Sequence, residues 1–350
     1  MKFIVSMGIR KLPGGPQPMH EIYRDFLEEA VLAEELGFNA VWASEHHFSP
    51  DAWSPSPVPF LAAVAARTRR IRIGTYVLLL PLHNPVHIAE DFAVLDNISG
   101  GRVDLPVGVG SATEEFHTFG VPFGERLGRM FEGLTVIERC FTGERFSHQG
   151  KYYDFPDVHM TTPTVQQPRP PIWVASMGEQ SVRRTARRGY HLAAGAGRRH
   201  ALYEQQLRAH GYDPATRLIA SIPLRLHIAE ARDKAWDECE AGLHQVLNFY
   251  RMRVNPQAGS IGSGALEQLP PVGEFRNLPG IGHGGAPFAV GTSETEAEML
   301  SAYRDRRLTH LVHALNKRSS LRVEPNRAHQ KSDGRWAAPR PAAKIAQPRR

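Results

Sequence analysis

The sequence predicts an α/β fold in which parallel strands close into a (β/α)8 barrel of the TIM type. Strand-like and helix-like stretches alternate from the first residue. Eight strand candidates fall within about 315 residues, and each but the last is followed by a helix-like stretch. Parallel strands need crossover connections, so repeated strand–helix units demand a parallel sheet. Eight such units suit a closed barrel. An open doubly wound sheet uses the same units. Against it, the first strand runs into "GIRKLPGGPQ", which is no G-x-G-x-x-G phosphate loop.

Each element has a local reason. "KFIVSM" is a short apolar strand. Residues 21–36 follow helical spacing, with Phe26, Ala30 and Ala33 on one face and Gly37 as the stop. "AVWAS", a helix across "PFLAAVAARTRR" and the strand "IRIGTYVLLL" come next. "PVHIAEDFAVLDNISGG" starts on Pro85, sets Ile88, Phe92 and Leu95 on one face and ends at Gly100-Gly101. "RVDLPVGVG" is strand-like, and residues 123–142 form an amphipathic helix. "PPIWVAS", the helix "EQSVRRTARRG", the strand "YHLAAG" and the helix "HALYEQQLRAHG" continue the alternation. "RLIASIPLRLHIAE" reads as strand seven, "ARDKAWDECEAGLHQVLNFY" as its helix and "LTHLVHAL" as strand eight. Two segments break the pattern. Residues 143–171 form a loop rich in Tyr, Asp and Pro. Residues 251–288 are dense in Gly and Pro, an insertion before strand eight, near the barrel mouth, that reads as a functional lid or a disordered segment.

Composition is that of a globular protein: 350 residues, 41% hydrophobic and 22% charged. No apolar run approaches the ~20 residues that span a bilayer, and the N-terminus lacks a signal-peptide pattern. Cys140 and Cys239 are far apart and outside any C-x-x-C, so a reducing cytoplasm fits. The net charge of +6 is concentrated at one end. Residues 317–350 hold ten Lys/Arg and two Asp/Glu, so they carry +8 and the rest of the chain −2. Without aromatic interleaving or a folded basic motif, this tail reads as a disordered, solvated extension rather than a nucleic-acid arm. The expected domains are residues 1–316, the barrel, and residues 317–350, the tail.

A barrel's active site lies at the C-terminal ends of its strands. Strand two delivers "EHHF", Glu45 to Phe48, to that rim. Adjacent side chains on an extended segment face opposite ways, so His46 and His47 cannot both face one ligand. One is an acid/base candidate, and the other is structural or solvated. His83 and His87 are spaced i, i+4, but Pro85 stands between them and no carboxylate or thiolate set completes a metal site, so none is expected. "PVGVGSATEEF" after strand four could let backbone amides approach an anion, or Gly108 and Gly110 could mark a bend. Glu114 and Glu115 suit a first helical turn. Ser176, Met177 and Gly178 precede a helix, as either a phosphate site or a cap.

In combination, "AEELGFNAVWASEHHF", "PSPVPFLAAVAARTRRIRIGT", "LPLHNPVHIAEDFAVLDNISGGR", "EFHTFGVPFGER" and "FSHQGKYYDFPDVHM…PTVQQPRPPIWVAS" resemble the bacterial-luciferase-like flavin-dependent monooxygenases, in family order from residue 1 to about 230. The resemblance implies a (β/α)8 barrel binding reduced FMN, supplied by a separate flavin reductase. It implies oxidation of a small organic substrate by O2 through a flavin C(4a) hydroperoxide, with residues 251–288 as the gate. It makes His46 the acid/base beside the flavin and places a non-prolyl cis peptide at Tyr76-Val77 under the ring. Glu115 falls near the pyrimidine end, and Ala175, Ser176, Met177 and Gly178 form the phosphate-side loop. It also implies a homodimer. Three departures stand out. Many members have an arginine for the FMN phosphate where this chain has Val109. The eighth helix is not legible after the last strand. No NAD(P)H fingerprint occurs, which fits supply of reduced flavin from outside. Two alternatives follow: a hydride-transfer oxidoreductase using a deazaflavin coenzyme on the same barrel, and a non-catalytic flavin-binding relative.

Overall fold

Parallel pairing organises the chain from its first strand outward. A computed structural model describes residues 1–12, 14–193, 198–221, 224–253, 271–274, 276, 288–295, 297 and 309–315. The strands are β1 (Lys2–Met7), β2 (Ala40–Ala43), β3 (Arg72–Thr75), β4 (Leu105–Val107), β5 (Phe146–Gln149), β6 (Asp154–Val158), β7 (Ile172–Ala175), β8 (His191–Ala193), β9 (Ile219–Ala220), β10 (Leu224–Ile228), β11 (Ala289–Gly291) and β12 (His310–Leu315). The main ladder runs β3-β2-β1-β12-β9-β8-β7-β4. Its pairs are parallel, with Val5 opposite Val41, Trp42 opposite Gly74 and Val174 opposite Leu192.

Helices cover the outer face. They are α1 (Met19–Glu35), α2 (Pro57–Arg67), α3 (Pro85–Ser99), α4 (Thr113–Thr118), α5 (Arg126–Phe141), α6 (Glu179–Arg187), α7 (Arg198–Ala209) and α8 (Arg232–Arg253). α3 shows how directly the sequence sets its ends. Pro85 presets the first turn, the Asn84 side chain accepts from the Val86 and His87 amides, and Gly100 closes the helix at φ 66°. Two cores result, as the strand period requires. Val5, Met7, Val41 and Ile73 face the helices, together with Phe92, Leu134 and Ile137. Ile4, Trp42, Trp173, Ala220 and Val312 fill the opposite, inner face. Gly74 makes room there, since a Cβ would lie 2.9 Å from the Trp42 ring.

Four expectations are corrected. The ladder is not closed throughout: its end strands, β3 and β4, meet only at isolated bridges, Ile73 with Val103 and Leu78 with Val107. Pro106, in the middle of the three-residue β4, has no N–H to give to a ladder. The long third strand is only Arg72–Thr75, followed by a 3-10 turn at Leu80–Leu82. Strand seven divides into β9 and β10; β9 pairs β12 and β8, whereas β10 pairs β12 and the additional β11. Within residues 143–171, β5 and β6 form an antiparallel hairpin rather than a plain loop. Three of its backbone amides, of Lys151, Tyr152 and Tyr153, donate to the Glu132 carboxylate on α5.

Met1–Ser320 form one compact unit. The expected domain boundary at residue 316, the missing eighth helix, the basic tail and most of the 251–288 insertion lie outside the described residues. Among the described residues, no helix is long and apolar enough to cross a membrane.

Candidate active site

The segment after β2 folds back on itself. The Ser44 amide donates to the Met7 carbonyl, that of His46 to Ser54 and that of Ser54 to Ile9. Phe48 and Ala52 take φ of 54°, which turns the chain so that Trp53 returns over His46. The Trp53 indole donates to Ser44 Oγ at 2.7 Å.

Within this loop, the three polar residues divide their tasks. Glu45 and His47 are buried, and each has partners. Glu45 Oε1 bonds His47 Nε2 at 2.8 Å and His83 Nε2 at 2.7 Å, and Oε2 accepts the Leu79 amide at 2.7 Å. Burial would raise the Glu45 carboxyl. The hydrogen bonds from His47, His83 and Leu79 outweigh it and hold the pKa at about 2. Burial would likewise lower His83, but Glu45 overrides it and raises that ring's pKa. The donor atoms of Glu45, His47 and His83 lie within 4.8 Å of one another, a grouping that could hold a metal ion. Their 2.7–2.8 Å contacts are hydrogen-bond lengths, shorter than the roughly 3.3 Å that separates ligands around a tetrahedral zinc. The network ties the rim of β2 to that of β3.

His46 faces the other way, as alternation requires. Its ring lies 4.4 Å from Trp53, 4.8 Å from Phe249 and 5.8 Å from Tyr250, centroid to centroid. Nε2 is 3.3 Å from the Tyr250 hydroxyl. Nδ1 is buried without a hydrogen-bond partner, 3.6 Å from Glu115 Oε1. Glu115 is itself buried and accepts the His47 amide at 2.9 Å, so one carboxylate anchors the loop and faces its imidazole. The structure thus brings His46 and Glu115 together.

The other expected residues lie at the ends of β3, β4 and β7. The Tyr76-Val77 peptide is cis. The Tyr76 ring stacks on Trp42 at 5.5 Å, and its hydroxyl donates to the Ser221 carbonyl. Gly108 is explained by close approach: a Cβ there would lie 2.4 Å from Val77 Cγ2. Gly110 has φ 74° and abuts Phe116, so these glycines serve the bend. Val109 packs half-buried against the helix-side core. Ala175 ends β7. Ser176 is fully buried; its hydroxyl bonds those of Ser181 and Thr185, and its amide donates to Ala193. Its side chain is therefore neither a phosphate ligand nor the α6 cap. Gly178 is the N-cap residue, with open space where a Cβ would stand. Arg199 reaches this loop and donates to the Met177 carbonyl at 2.7 Å.

Sequence reading missed the contributions from β1, β10 and α8. Arg10, past the end of β1, lies with its guanidinium 4.4 Å from the centre of the Trp53 ring. Arg225 is buried on β10. α8 brings Phe249, Tyr250 and Arg253, the last paired with Glu114 at 2.7 Å. The one available signal was the apolar spacing of Val246, Phe249 and Tyr250 near the end of α8, which sequence alone cannot tell from core.

Fold and site define a barrel-type α/β scaffold: a parallel strand ladder sheathed by helices, with an imidazole at its rim. The chain belongs to the luciferase-like monooxygenase family, whose model matches residues 1–310. Among curated relatives, it is 29% identical to the oxygenase component of a flavin-dependent trigonelline monooxygenase of Acinetobacter baylyi, over 47% of this chain and 46% of that one. It is 32% identical to an F420-dependent glucose-6-phosphate dehydrogenase of Amycolatopsis mediterranei, over 60% and 66%. The chain spans about half the length of the first curated relatives it matches. Among solved structures, monooxygenase RslO1 from Streptomyces bottropensis superposes with a TM-score of 0.75 at 26% identity, covering 92% of this chain and 97% of that one. Flavin-dependent and F420-dependent enzymes therefore both stand among its relatives.

Proposed function

We propose that the chain is a monooxygenase that uses reduced FMN and O2 to oxidise a small organic substrate, with a separate flavin reductase supplying the reduced cofactor. One observation carries the reading: the His46 imidazole, walled by Trp53, Phe249 and Tyr250, holds a buried and unpartnered Nδ1 facing Glu115. A buried polar atom without a partner is costly unless something completes it. The residues present fit a flavin. The backbone of Tyr76 and Val77, with Glu115, would hold its ring. Met177 and the open N-cap at Gly178, which follow Ala175 and Ser176 in the loop after β7, would hold its phosphate side, with Arg199 standing in for the arginine that is absent at Val109. The bound flavin supplies the redox chemistry. The protein's part is local. Trp53 and Phe249 exclude water, Tyr250 orients the ring through Nε2, and His46 takes or gives a proton at Nδ1, the nitrogen that faces Glu115.

A second reading, hydride transfer with a deazaflavin coenzyme, draws on Val109, since FMN loses its usual phosphate partner there. Titrating the protein with FMN and with the deazaflavin coenzyme separates the two. FMN is expected to bind one to one and more tightly. His46→Ala is expected to keep FMN affinity and to slow product formation by about 10²–10⁴-fold. Unchanged reoxidation of photoreduced FMN, with unchanged product yield, would remove His46 from its role.

A further inference from the structure

Two arginines at the same rim are buried and incompletely partnered. Arg10 and Arg225 are each 7% exposed. Arg10 Nη1 and Arg225 Nε have no hydrogen-bond partner. Neither guanidinium has a carboxylate at ion-pair distance among the described residues. Asp51, whose charge reaches Arg10, already accepts from Gln245 at 2.8 Å and from Ser49. The Arg225 charge also reaches Arg10 and repels it. Burial and that repulsion lower Arg10 to about 10, so it stays charged at neutral pH. Buried charges in proteins are ordinarily paired, and two unpaired cations whose charges both reach Tyr250 call for an anion near it.

The position of the pair gives the anion its meaning. The Arg10 guanidinium covers one ring, Trp53, whose centroid is 4.4 Å from that of His46. Tyr250, bonded to His46, feels both guanidinium charges. The phosphate-side loop, Ser176 to Gly178, belongs to a different strand, β7, and has its own cation, Arg199. We infer that Arg10 and Arg225 form a recess for the carboxylate of an anionic substrate and hold the rest of that molecule against His46. A guanidinium is suited to the task, since its planar fork matches a carboxylate through two parallel N–H···O bonds. Calling the anion the substrate rests on the proposed monooxygenase reading; the binding of a carboxylate does not.

The test is calorimetric titration of the protein, with and without FMN, by formate, acetate and benzoate, each compared with its neutral amide. At least one carboxylate is expected to bind one to one and at least tenfold more tightly than its amide. Arg225→Gln and Arg10→Gln are each expected to weaken it at least tenfold, and Arg225→Lys less. If Arg10→Gln does not fold, Arg225→Gln carries the test alone. Equal affinity for acid and amide, binding of none of the three acids, or unaltered binding in the variants would overturn the inference. So would a drop in the FMN-to-riboflavin affinity ratio of Arg225→Gln, which would assign the pair to the cofactor phosphate. Failure of FMN to bind the parent protein would count against the monooxygenase reading alone, because the carboxylate titration without FMN is read separately.

Discussion

Glu45, His46 and His47 show how one tripeptide serves two purposes. The outer two residues are fastened to each other and, through Glu45, to the segment after β3, and the middle one is left facing the rim. Substitutions should therefore separate stability from activity. Glu45→Ala strands His47, His83 and the Leu79 amide at once. It is expected to cost about 3–5 kcal/mol, the scale for breaking a buried charged pair, read from the denaturant midpoint. His46→Ala gives up ring packing and one 3.3 Å bond to Tyr250 but strands no buried charge, so it should lower that midpoint less than Glu45→Ala does. The opposite facing of His46 and His47 was legible in sequence, because alternation on an extended segment is a matter of backbone geometry. The identity of the partners was not. His83 is 38 residues from Glu45 and Tyr250 is 204 residues from His46, and no local rule reports such separations. Ser176 was misjudged for a related reason. A serine before a helix normally caps it, whereas here the hydroxyls of Ser181 and Thr185 draw it inward.

At the scale of elements, the long helices were readable to within three residues at each end, since their apolar spacing and stop signals are local. α3 was expected to begin at Pro85 and end at Gly100-Gly101, and it spans Pro85–Ser99. Strands fared less well. An apolar run such as "IRIGTYVLLL" does not say where pairing ends, and here the ladder stops at Thr75 so that the chain can cross to the rim. That crossing depends on a small residue in the neighbouring segment. Gly108→Ala would bring a Cβ to 2.4 Å from Val77 Cγ2. Valine has little rotameric freedom with which to yield. The substitution is expected to cost about 1–3 kcal/mol, the range for overpacking a core, and to weaken FMN binding at the same time. A melting curve and a flavin titration on one preparation check both. A variant as stable as the parent, with unaltered affinity, would show that Val77 can move freely.

For the molecule as a whole, the rim and the opposite end of the ladder are charged differently with pH. At the opposite end, burial and nearby cations hold His191 at about 3 and His310 at about 4. Both are neutral in the fold and near 6.5 when unfolded. The unfolded chain therefore takes up more protons as pH falls, and stability is lost from about pH 6.5 down to about 4 for His310 and about 3 for His191. Glu45 adds a loss at lower pH, between its ordinary 4.5 and about 2. His83 acts in the other sense, giving stability below its unfolded pKa that fades as pH rises through its raised one. The net expectation is a melting temperature that falls steadily from pH 7 to pH 4. The slope should be shallower in the double variant His191→Asn/His310→Asn, and an unchanged slope would locate the acid sensitivity elsewhere. The family and the barrel type were legible from short motifs in order. The incomplete ladder was not, because it depends on Pro106 lacking a donor between two bridges.

The seat of Trp53, between the guanidinium of Arg10 and the ring of His46, turns an indole into a gauge. Indole emission shifts with the electric field across it, so filling the space near either neighbour should alter its colour and yield. Stripped of its other four tryptophans, the chain would carry a native optical probe of its own occupancy, readable without knowing in advance what the occupant is.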